Sequence, residues 1–134
     1  MSTRIPQRFR DQVEKIADDR CEYCLLSRRF SFYPHEVDHI VAVSHGGETI
    51  FENLAQACFR CNRNKGPNLA STDREGNRAF LFDPTHQRWE DHFRLDFPII
   101  TPLTPVGEAT VRALKLNHPD RISERLSDPY LKRS

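Results

Sequence analysis

Two Cys-x-x-Cys pairs, Cys21/Cys24 and Cys58/Cys61, constrain the fold of this chain more than any other feature of its sequence. A two-residue gap lets one tight turn aim two thiolates at the same ion, and four thiolates complete a closed tetrahedral site for structural zinc. The intervening segment, residues 25–57, is longer than the roughly 15 to 20 residues between the pairs of a simple zinc ribbon. It therefore has room for a folded structure of its own.

Disulfide bonding is the alternative interpretation of the four cysteines, which could pair in any of three ways. The chain opens Met-Ser-Thr-Arg-Ile-Pro without the apolar stretch of a secretory signal, and no segment reaches the roughly 18 apolar residues of a membrane span. Thiols stay reduced inside cells and can then bind metal. We therefore expect a cytoplasmic protein with a zinc site and no membrane contact.

The charge balance limits how the protein could bind nucleic acid. Charged residues make up 29% of the chain, but the net charge is only +1, so the protein cannot coat nucleic acid through overall charge. Any such contact must be local, and the candidate cations are Arg60, Arg63 and Lys65 around the second cysteine pair. Short charge runs are also common as plain solvated surface.

The chain contains no internal repeat and no flexible linker, which predicts a single domain over residues 1–134. An amphipathic helix is predicted over 6–18, with Phe9, Val13, Ile16 and Ala17 facing the core. A zinc-stapled core follows at 20–66, and residues 67–134 are expected to form an extension that packs on it. The predicted fold class is α+β.

Strand and helix patterns alternate inside the central segment. Residues 37–43 are rich in β-branched side chains and predict a strand that ends at Ser44-His-Gly-Gly47. Residues 54–57 predict a returning strand, and residues 59–65 predict a helix that Gly66-Pro67 stops. The expected order is strand, loop, strand, helix.

The extension has weaker signals. Phe93, Leu95 and Phe97 alternate with polar residues and predict a half-buried strand. Thr104 can cap a helix with Pro105 at its first position, and a last short helix is expected around 120–127. We expect Trp89 and its aromatic neighbours to cover the central segment rather than to contact a substrate.

Asp38 and His39 are the residues best suited to chemistry. A carboxylate is a hard oxygen ligand for Mg²⁺ or Mn²⁺, and a neutral imidazole can accept a proton near pH 7. Together they could support metal-assisted hydrolysis of a phosphodiester, although an Asp-His pair alone also occurs in purely structural roles. The neighbouring His35 and His45 could reach a metal or a phosphate, and their roles stay open.

The combined pattern resembles the HNH endonuclease family over about residues 20–66. It consists of Val37-Asp38-His39-Ile40, Gly46-Gly47, Glu52-Asn53-Leu54 and Cys58-x-x-Cys61-Asn62-x-x-Lys65-Gly66. The resemblance implies a ββα-metal finger stapled by a four-cysteine structural zinc, with flanking helices and a C-terminal strand and helix extension. It also implies an enzyme that hydrolyses phosphodiester bonds, with DNA as the expected partner.

The same resemblance implies a role for each residue that matches the family pattern. His39 would be the general base that deprotonates the attacking water, and Asp38 and Asn62 would hold a catalytic Mg²⁺ or Mn²⁺. Asn53 would brace the loop and hold His39 in orientation. Asn62 departs from the commonest pattern, because many members have a second metal-binding histidine at this position.

Two other function classes stay open at the level of sequence. A catalytically silent zinc module would use the cysteines and Arg60 or Arg63 to bind nucleic acid or a protein, but would not need Asp38 and His39. A purely structural protein would need a sizeable apolar patch, which the sequence does not indicate. Target specificity and oligomeric state are not fixed by the sequence.

Overall fold

A computed structural model describes residues 5–131, so residues 1–4 and 132–134 of the predicted single domain lie outside the described residues. The described part contains α-helices and three two-stranded antiparallel sheets, which confirms the α+β class. The elements are α1 Gln7–Ala17, β1 Glu36–His39, β2 Leu54–Ala57, α2 Phe59–Lys65, β3 Ala70–Thr72, β4 Arg78–Phe80, α3 Trp89–His92, β5 Phe93–Asp96, β6 Ile99–Pro102, α4 Pro105–Leu114 and α5 Pro119–Ser127.

Helix α1 forms where the 3.6-residue period predicts it and packs on the β1/β2 hairpin. Val13 is buried in a small cluster with Val37 of β1 and Leu54 of β2. The helix ends because Asp18 adopts a left-handed backbone conformation, which satisfies a last-turn carbonyl. The predicted core-facing position of Ile16 is wrong, since its side chain is 63% exposed.

The central segment has the predicted order of strand, loop, strand and helix. Strands β1 and β2 pair antiparallel, with Asp38 opposite Ala55 and His39 opposite Leu54. Helix α2 follows at once, and the Cys58 sulfur caps it by accepting a hydrogen bond from the Cys61 amide at 3.4 Å. We call the turns at residues 21–24 and 58–61 the first and second knuckle. The second knuckle therefore also forms the N-terminus of α2.

Strand β1 is shorter than the predicted residues 37–43, and the reason is the side chain of Asn53. The Val41 amide donates to Asn53 Oδ1 at 2.8 Å, and the Val41 carbonyl accepts from Asn53 Nδ2 at 3.0 Å. Both backbone groups of Val41 are satisfied by a side chain, so the strand ladder does not continue. A short 3₁₀ turn at Val43–His45 follows.

The extension matches its predictions in part. Strand β5 contains Phe93 and Leu95 but ends at Asp96, before the predicted Phe97. Helix α4 begins as predicted, with Thr104 Oγ1 accepting from the Gly107 amide at 3.1 Å. Helix α5 occupies the position expected for the last helix. Strands β3, β4 and β6 are three or four residues each and have no clear alternation, so the sequence patterns did not predict them.

One hydrophobic core joins the cysteine knuckles to the extension. Phe82, Phe93 and Leu114 lie in the same buried cluster as the four cysteines. The Trp89 indole donates to the Tyr23 carbonyl at 2.9 Å, which places the aromatic side chain over the first knuckle. None of the helices within residues 5–131 has the length and apolar character that crossing a bilayer would require.

Candidate metal centre and hydrolytic site

The four cysteine sulfurs meet in one buried cluster and form a zinc site. All four ligand atoms lie within 4.8 Å of one another, and Cys24 Sγ is 3.6 Å from Cys58 Sγ. A tetrahedral ion with Zn–S bonds of roughly 2.3 Å requires sulfur separations of roughly 3.8 Å, so the geometry fits zinc. The cysteines are free thiols rather than disulfides. This arrangement contradicts the disulfide alternative.

Arg121 of α5 contacts the zinc ligands and was not identified from the sequence. Its Nη2 donates to Cys61 Sγ at 2.9 Å and lies 3.7 Å from Cys58 Sγ, while Nη1 donates to the Leu114 carbonyl at 2.8 Å. The residue is only 2% exposed. Burial alone would lower the pKa of Arg121, but the nearby thiolates raise it well above its usual value, so the guanidinium stays charged.

Asp38 and Glu36 point to one face of β1, and α2 lies on that face. Residues two apart on a strand share a face, and both side chains are exposed in the burial pattern of β1. Asn62 Nδ2 donates to Glu36 Oε2 at 2.6 Å, which leaves the amide oxygen as the group able to act as a ligand. This hydrogen bond places Asn62 beside the face that carries Asp38.

The donors on this face suit a hard cation. Glu36, Asp38 and Asn62 offer oxygen atoms, which Mg²⁺ and Mn²⁺ prefer. Within residues 5–131, the four-cysteine cluster is the only group of three or more His, Cys, Asp or Glu side chains whose ligand atoms gather for a metal. A cation at Asp38 and Asn62 would therefore keep several waters, as Mg²⁺ commonly does.

His39 lies at the end of β1 in a defined orientation. Its Nε2 is 2.8 Å from Thr49 Oγ1, and its Nδ1 is 3.6 Å from Asp38 Oδ1. The His39 side chain is only 7% exposed, whereas Asp38 is 51% exposed. The backbone amide of His39 also donates to Asp38 Oδ1 at 2.8 Å. Thr49 thus holds one ring nitrogen, and the other ring nitrogen lies on the side of Asp38.

Asn53 ties together the loop that connects β1 and β2. Besides its two bonds to Val41, its Nδ2 donates to the Glu48 carbonyl at 2.8 Å. The loop also needs Gly47, because a Cβ at this position would lie 1.8 Å from the Val41 carbonyl oxygen. The amide side chain and the glycine together fix the loop that carries Thr49. That this geometry orients His39 for catalysis stays a prediction.

The three predicted nucleic-acid-binding cations do not form one exposed patch. Lys65 is buried, and its Nζ donates to the Ile40 carbonyl at 2.7 Å. Burial lowers the pKa of Lys65, and attraction from Asp38 and Asp83 opposes this effect. Arg60 and Arg63 lie at the surface of α2, with the Arg63 guanidinium 5.1 Å from the centre of the Phe59 ring.

His35 and His45 occupy different environments. His35 Nε2 is 2.9 Å from the Leu26 carbonyl, which links the residue before β1 to the segment that follows Cys24, and its Nδ1 is buried without a hydrogen-bond partner. His45 is exposed at the end of the 3₁₀ turn. Neither residue belongs to the four-cysteine cluster.

The structure adds three residues that the sequence analysis did not identify at these sites. Glu36 could have been found from strand periodicity, since it lies two residues before Asp38. Thr49 and Arg121 had no local signal, because their contacts to His39 and Cys61 join positions that are 10 and 60 residues apart in the chain.

Comparison with known proteins supports the resemblance over the central segment alone. No curated protein and no solved structure matches the chain. Residues 21–68 match the family model described as HNH endonuclease, and this range contains both cysteine pairs, the β1/β2 hairpin and α2. Residues 21–68 of this protein are therefore similar to HNH endonuclease domains.

Proposed function

We propose that the protein is a metal-dependent endonuclease that hydrolyses DNA phosphodiester bonds at the face formed by β1 and α2. The observation that carries this proposal is the hydrogen bond between Asn62 Nδ2 and Glu36 Oε2 at 2.6 Å. It brings the helix residue of the family pattern to the strand face that carries Asp38, next to His39. A purely zinc-binding module would have no need of this arrangement.

His39 is the general base, and Nδ1 is the atom that accepts the proton. Thr49 engages Nε2 at 2.8 Å, so Nδ1 is the nitrogen that can face a water near Asp38. In the neutral ring one nitrogen carries hydrogen and the other accepts. Donation from Nε2 to Thr49 Oγ1 leaves the lone pair on Nδ1, and this tautomer suits removal of a proton from the attacking water.

Asp38 and Asn62 are the residues that would hold the catalytic cation, with Mg²⁺ or Mn²⁺ as the expected ion. A cation there would stabilise the negative charge on the departing 3′ oxygen, and the products would carry a 5′ phosphate and a 3′ hydroxyl. An amide oxygen is a weaker ligand than the imidazole that many family members have at this position. We therefore expect preference for hard cations over zinc at this second site.

Arg60 and Arg63 are the proposed contacts to the DNA backbone. Both are exposed on α2, on either side of Asn62 in the sequence. The ion pairs of Arg60 with Asp120 and Glu124 are each 3.9 Å long, and exposed pairs of this kind stabilise little, so they could yield to a phosphate. A contact between Lys65 and a phosphate remains a prediction, and the burial of the Lys65 side chain argues against it.

The alternative is a catalytically silent zinc module that binds nucleic acid or a protein partner. The cluster of four cysteines fits such a module equally well, because a closed structural site carries no chemistry of its own. A site of free thiols also suits a reducing compartment such as the cytoplasm in either case.

The decisive experiment is a plasmid cleavage assay with the zinc-loaded protein in the presence of Mg²⁺ or Mn²⁺. We expect cleavage by the native protein and a rate lower by about 100-fold or more for His39→Ala, since a general base typically contributes about 10²–10⁴-fold. Asp38→Ala should also lose a weak Mn²⁺ site while it retains zinc.

The matched control is His118→Asn. His118 caps α5 by accepting from the Asp120 amide, and asparagine can replace it as a cap. This variant should cleave at the native rate. Full cleavage by His39→Ala would remove His39 as the base, and one bound metal with no cleavage by the native protein would favour the silent module.

A further inference from the structure

An exposed aromatic surface lies beside the proposed hydrolytic face and has no role in the chemistry described above. It consists of Phe32 and Tyr33, from the loop before β1, and Phe59 at the start of α2. The Tyr33 and Phe59 rings are stacked, with centroids 4.4 Å apart and planes inclined by 27°. Phe32 packs edge-on against Tyr33 with a centroid distance of 5.0 Å.

The Phe32 and Tyr33 rings are exposed to solvent, and Phe59 is half-buried. Phe32 is 89% exposed and Tyr33 is 50% exposed, whereas Phe82 and Phe93 are almost completely buried. The three rings line an open cavity of about 460 Å³, and Ser31 and Arg60 form part of its wall. A flat group could therefore enter and lie against a ring without moving the core.

Two positively charged side chains, Arg60 and Arg63, lie close to the rings. The Arg63 guanidinium lies 5.1 Å from the centre of the Phe59 ring, and the Arg60 side chain is 47% exposed on the cavity wall. Glu124 also borders the cavity, and its 3.9 Å contact to Arg60 partly balances that charge. Exposed rings flanked by guanidinium groups form the combination that binds single-stranded nucleic acid, because the rings stack on bases and the cations contact phosphates.

The position of the surface relates it to the hydrolytic face. Tyr33 precedes Asp38 by five residues, which span at most about 18 Å even when fully extended. Phe59 precedes Asn62 by three residues on the same helix, a rise of about 4.5 Å. The aromatic surface therefore lies on α2, which carries Asn62, and on the loop that leads into β1, which carries Asp38.

We propose that Phe32, Tyr33 and Phe59 form a stacking surface for unpaired nucleobases, so that the substrate is DNA with a single-stranded stretch next to the bond that is cleaved. This inference rests on the proposed nuclease function, but it concerns the binding of DNA, which can be measured without cleavage. Stacking is tolerant of sequence, since every base has an aromatic face. The surface would thus select DNA structure rather than DNA sequence.

The test is fluorescence anisotropy with the zinc-loaded protein and a labelled single-stranded oligonucleotide, in buffer without Mg²⁺ or Mn²⁺. A blunt duplex of the same length provides the comparison. We expect tighter binding to the single strand. Phe32→Ala and Tyr33→Ala should each weaken that binding about fivefold or more, which matches the lower end of the ~1–3 kcal/mol measured for stacking of one base.

Two further variants serve as controls. Tyr33→Phe keeps the ring and should bind like the native protein, which separates stacking from hydrogen bonding by the hydroxyl. Phe80→Ala removes another exposed phenylalanine, 72% accessible on β4, and should leave single-strand affinity unchanged. Equal loss in Phe80→Ala and Phe32→Ala would overturn the proposal, since the effect would then not belong to this surface.

The result is independent of whether the protein cleaves DNA. Single-strand binding that Phe32→Ala weakens would support the stacking surface even if plasmid cleavage were absent. Plasmid cleavage by a protein that shows no preference for single strands, with native affinity in Phe32→Ala, would overturn the stacking surface and leave the nuclease function intact. Such a result would instead indicate a surface for a protein partner.

Discussion

The contact between His39 and Thr49 is the single pair of residues on which the proposed chemistry depends most directly. An imidazole is useful as a base only if one nitrogen is free and correctly aimed, and the tautomer is set by the hydrogen bond that the other nitrogen makes. Here the Thr49 hydroxyl makes that bond at 2.8 Å. Because the His39 ring is 7% exposed, water alone cannot easily replace this hydroxyl.

Thr49→Val is therefore expected to slow cleavage without unfolding the protein. Valine has nearly the same shape but no hydroxyl, and loss of one orienting hydrogen bond of ~1–2 kcal/mol corresponds to a rate about 5- to 30-fold lower. Single-turnover cleavage rates would measure the effect. Thr49→Ser retains the hydroxyl and should cleave at close to the native rate; if serine is as slow as valine, the hydroxyl does not orient His39.

The loop between β1 and β2 is the element that converts a simple hairpin into a candidate catalytic site. A tight two-residue turn would place no residue near His39, whereas this loop folds back so that Thr49 reaches it. Asn53 supplies the internal contacts, with hydrogen bonds to Val41 and to the Glu48 carbonyl. Gly47 permits the close approach, and its amide donates to the Ala42 carbonyl at 3.0 Å.

Gly47→Ala is expected to be much more destabilising than Gly46→Ala. The added Cβ of Gly47→Ala would lie 1.8 Å from the Val41 carbonyl oxygen, so the backbone must move. We expect a loss of about 3 kcal/mol or more in the free energy of unfolding, at the upper end of overpacking effects. Urea denaturation of the zinc-loaded protein would measure it.

Gly46 is the matched control for this comparison. It has φ of 86°, and a Cβ added there would have nothing within 4 Å, so Gly46→Ala should cost only the ~1–2 kcal/mol of a left-handed residue. Equal losses for the two alanine variants would show that backbone conformation, and not the close approach to Val41, explains the need for glycine.

The central segment and the C-terminal extension are organised around the zinc cluster, because both contribute residues that contact it. The extension covers the knuckles through Trp89 and contributes Arg121 from α5. Four thiolates around Zn²⁺ leave a net charge of about −2 in a buried place, which is costly without a compensating cation. Arg121 supplies one positive charge at 2.9 Å from Cys61 Sγ.

Arg121→Met is expected to weaken zinc binding, because the buried thiolates lose their cation while the volume of the side chain is largely kept. Removal of an outer partner of metal ligands typically lowers metal affinity about 10- to 100-fold. The rate of zinc transfer to a chromophoric chelator would measure this change directly, without reference to DNA cleavage. Circular dichroism would verify that the variant remains folded.

Arg112→Met provides the control, since Arg112 is exposed on α4. It should release zinc at the native rate. Native zinc release from a folded Arg121→Met protein would show that α5 covers the cluster without stabilising it electrostatically.

Much of the central segment could be predicted because its signals are local. Cysteine spacing determines which thiolates can share an ion, the returning strand was predicted at residues 54–57, and the end of α2 follows from Gly66-Pro67. The resemblance to HNH endonucleases likewise depends on residues within one continuous stretch, 21–68. By contrast, the prediction that β1 extends to residue 43 is wrong. The Asn53 side chain forms the hydrogen bonds at Val41 that a neighbouring strand would otherwise form.

The sequence by itself determined the α+β class, the zinc site and the likeness of residues 21–68 to HNH domains, since each depends on residue type and on short-range spacing. Only the tertiary structure decided that Arg121 lies on the thiolates, that Thr49 holds His39, that Lys65 is buried and that the Tyr33 and Phe59 rings stack at the surface. These contacts join distant parts of the chain. They arise because the extension packs against the central segment in one buried cluster, and no local pattern of residues specifies which distant side chains will meet there.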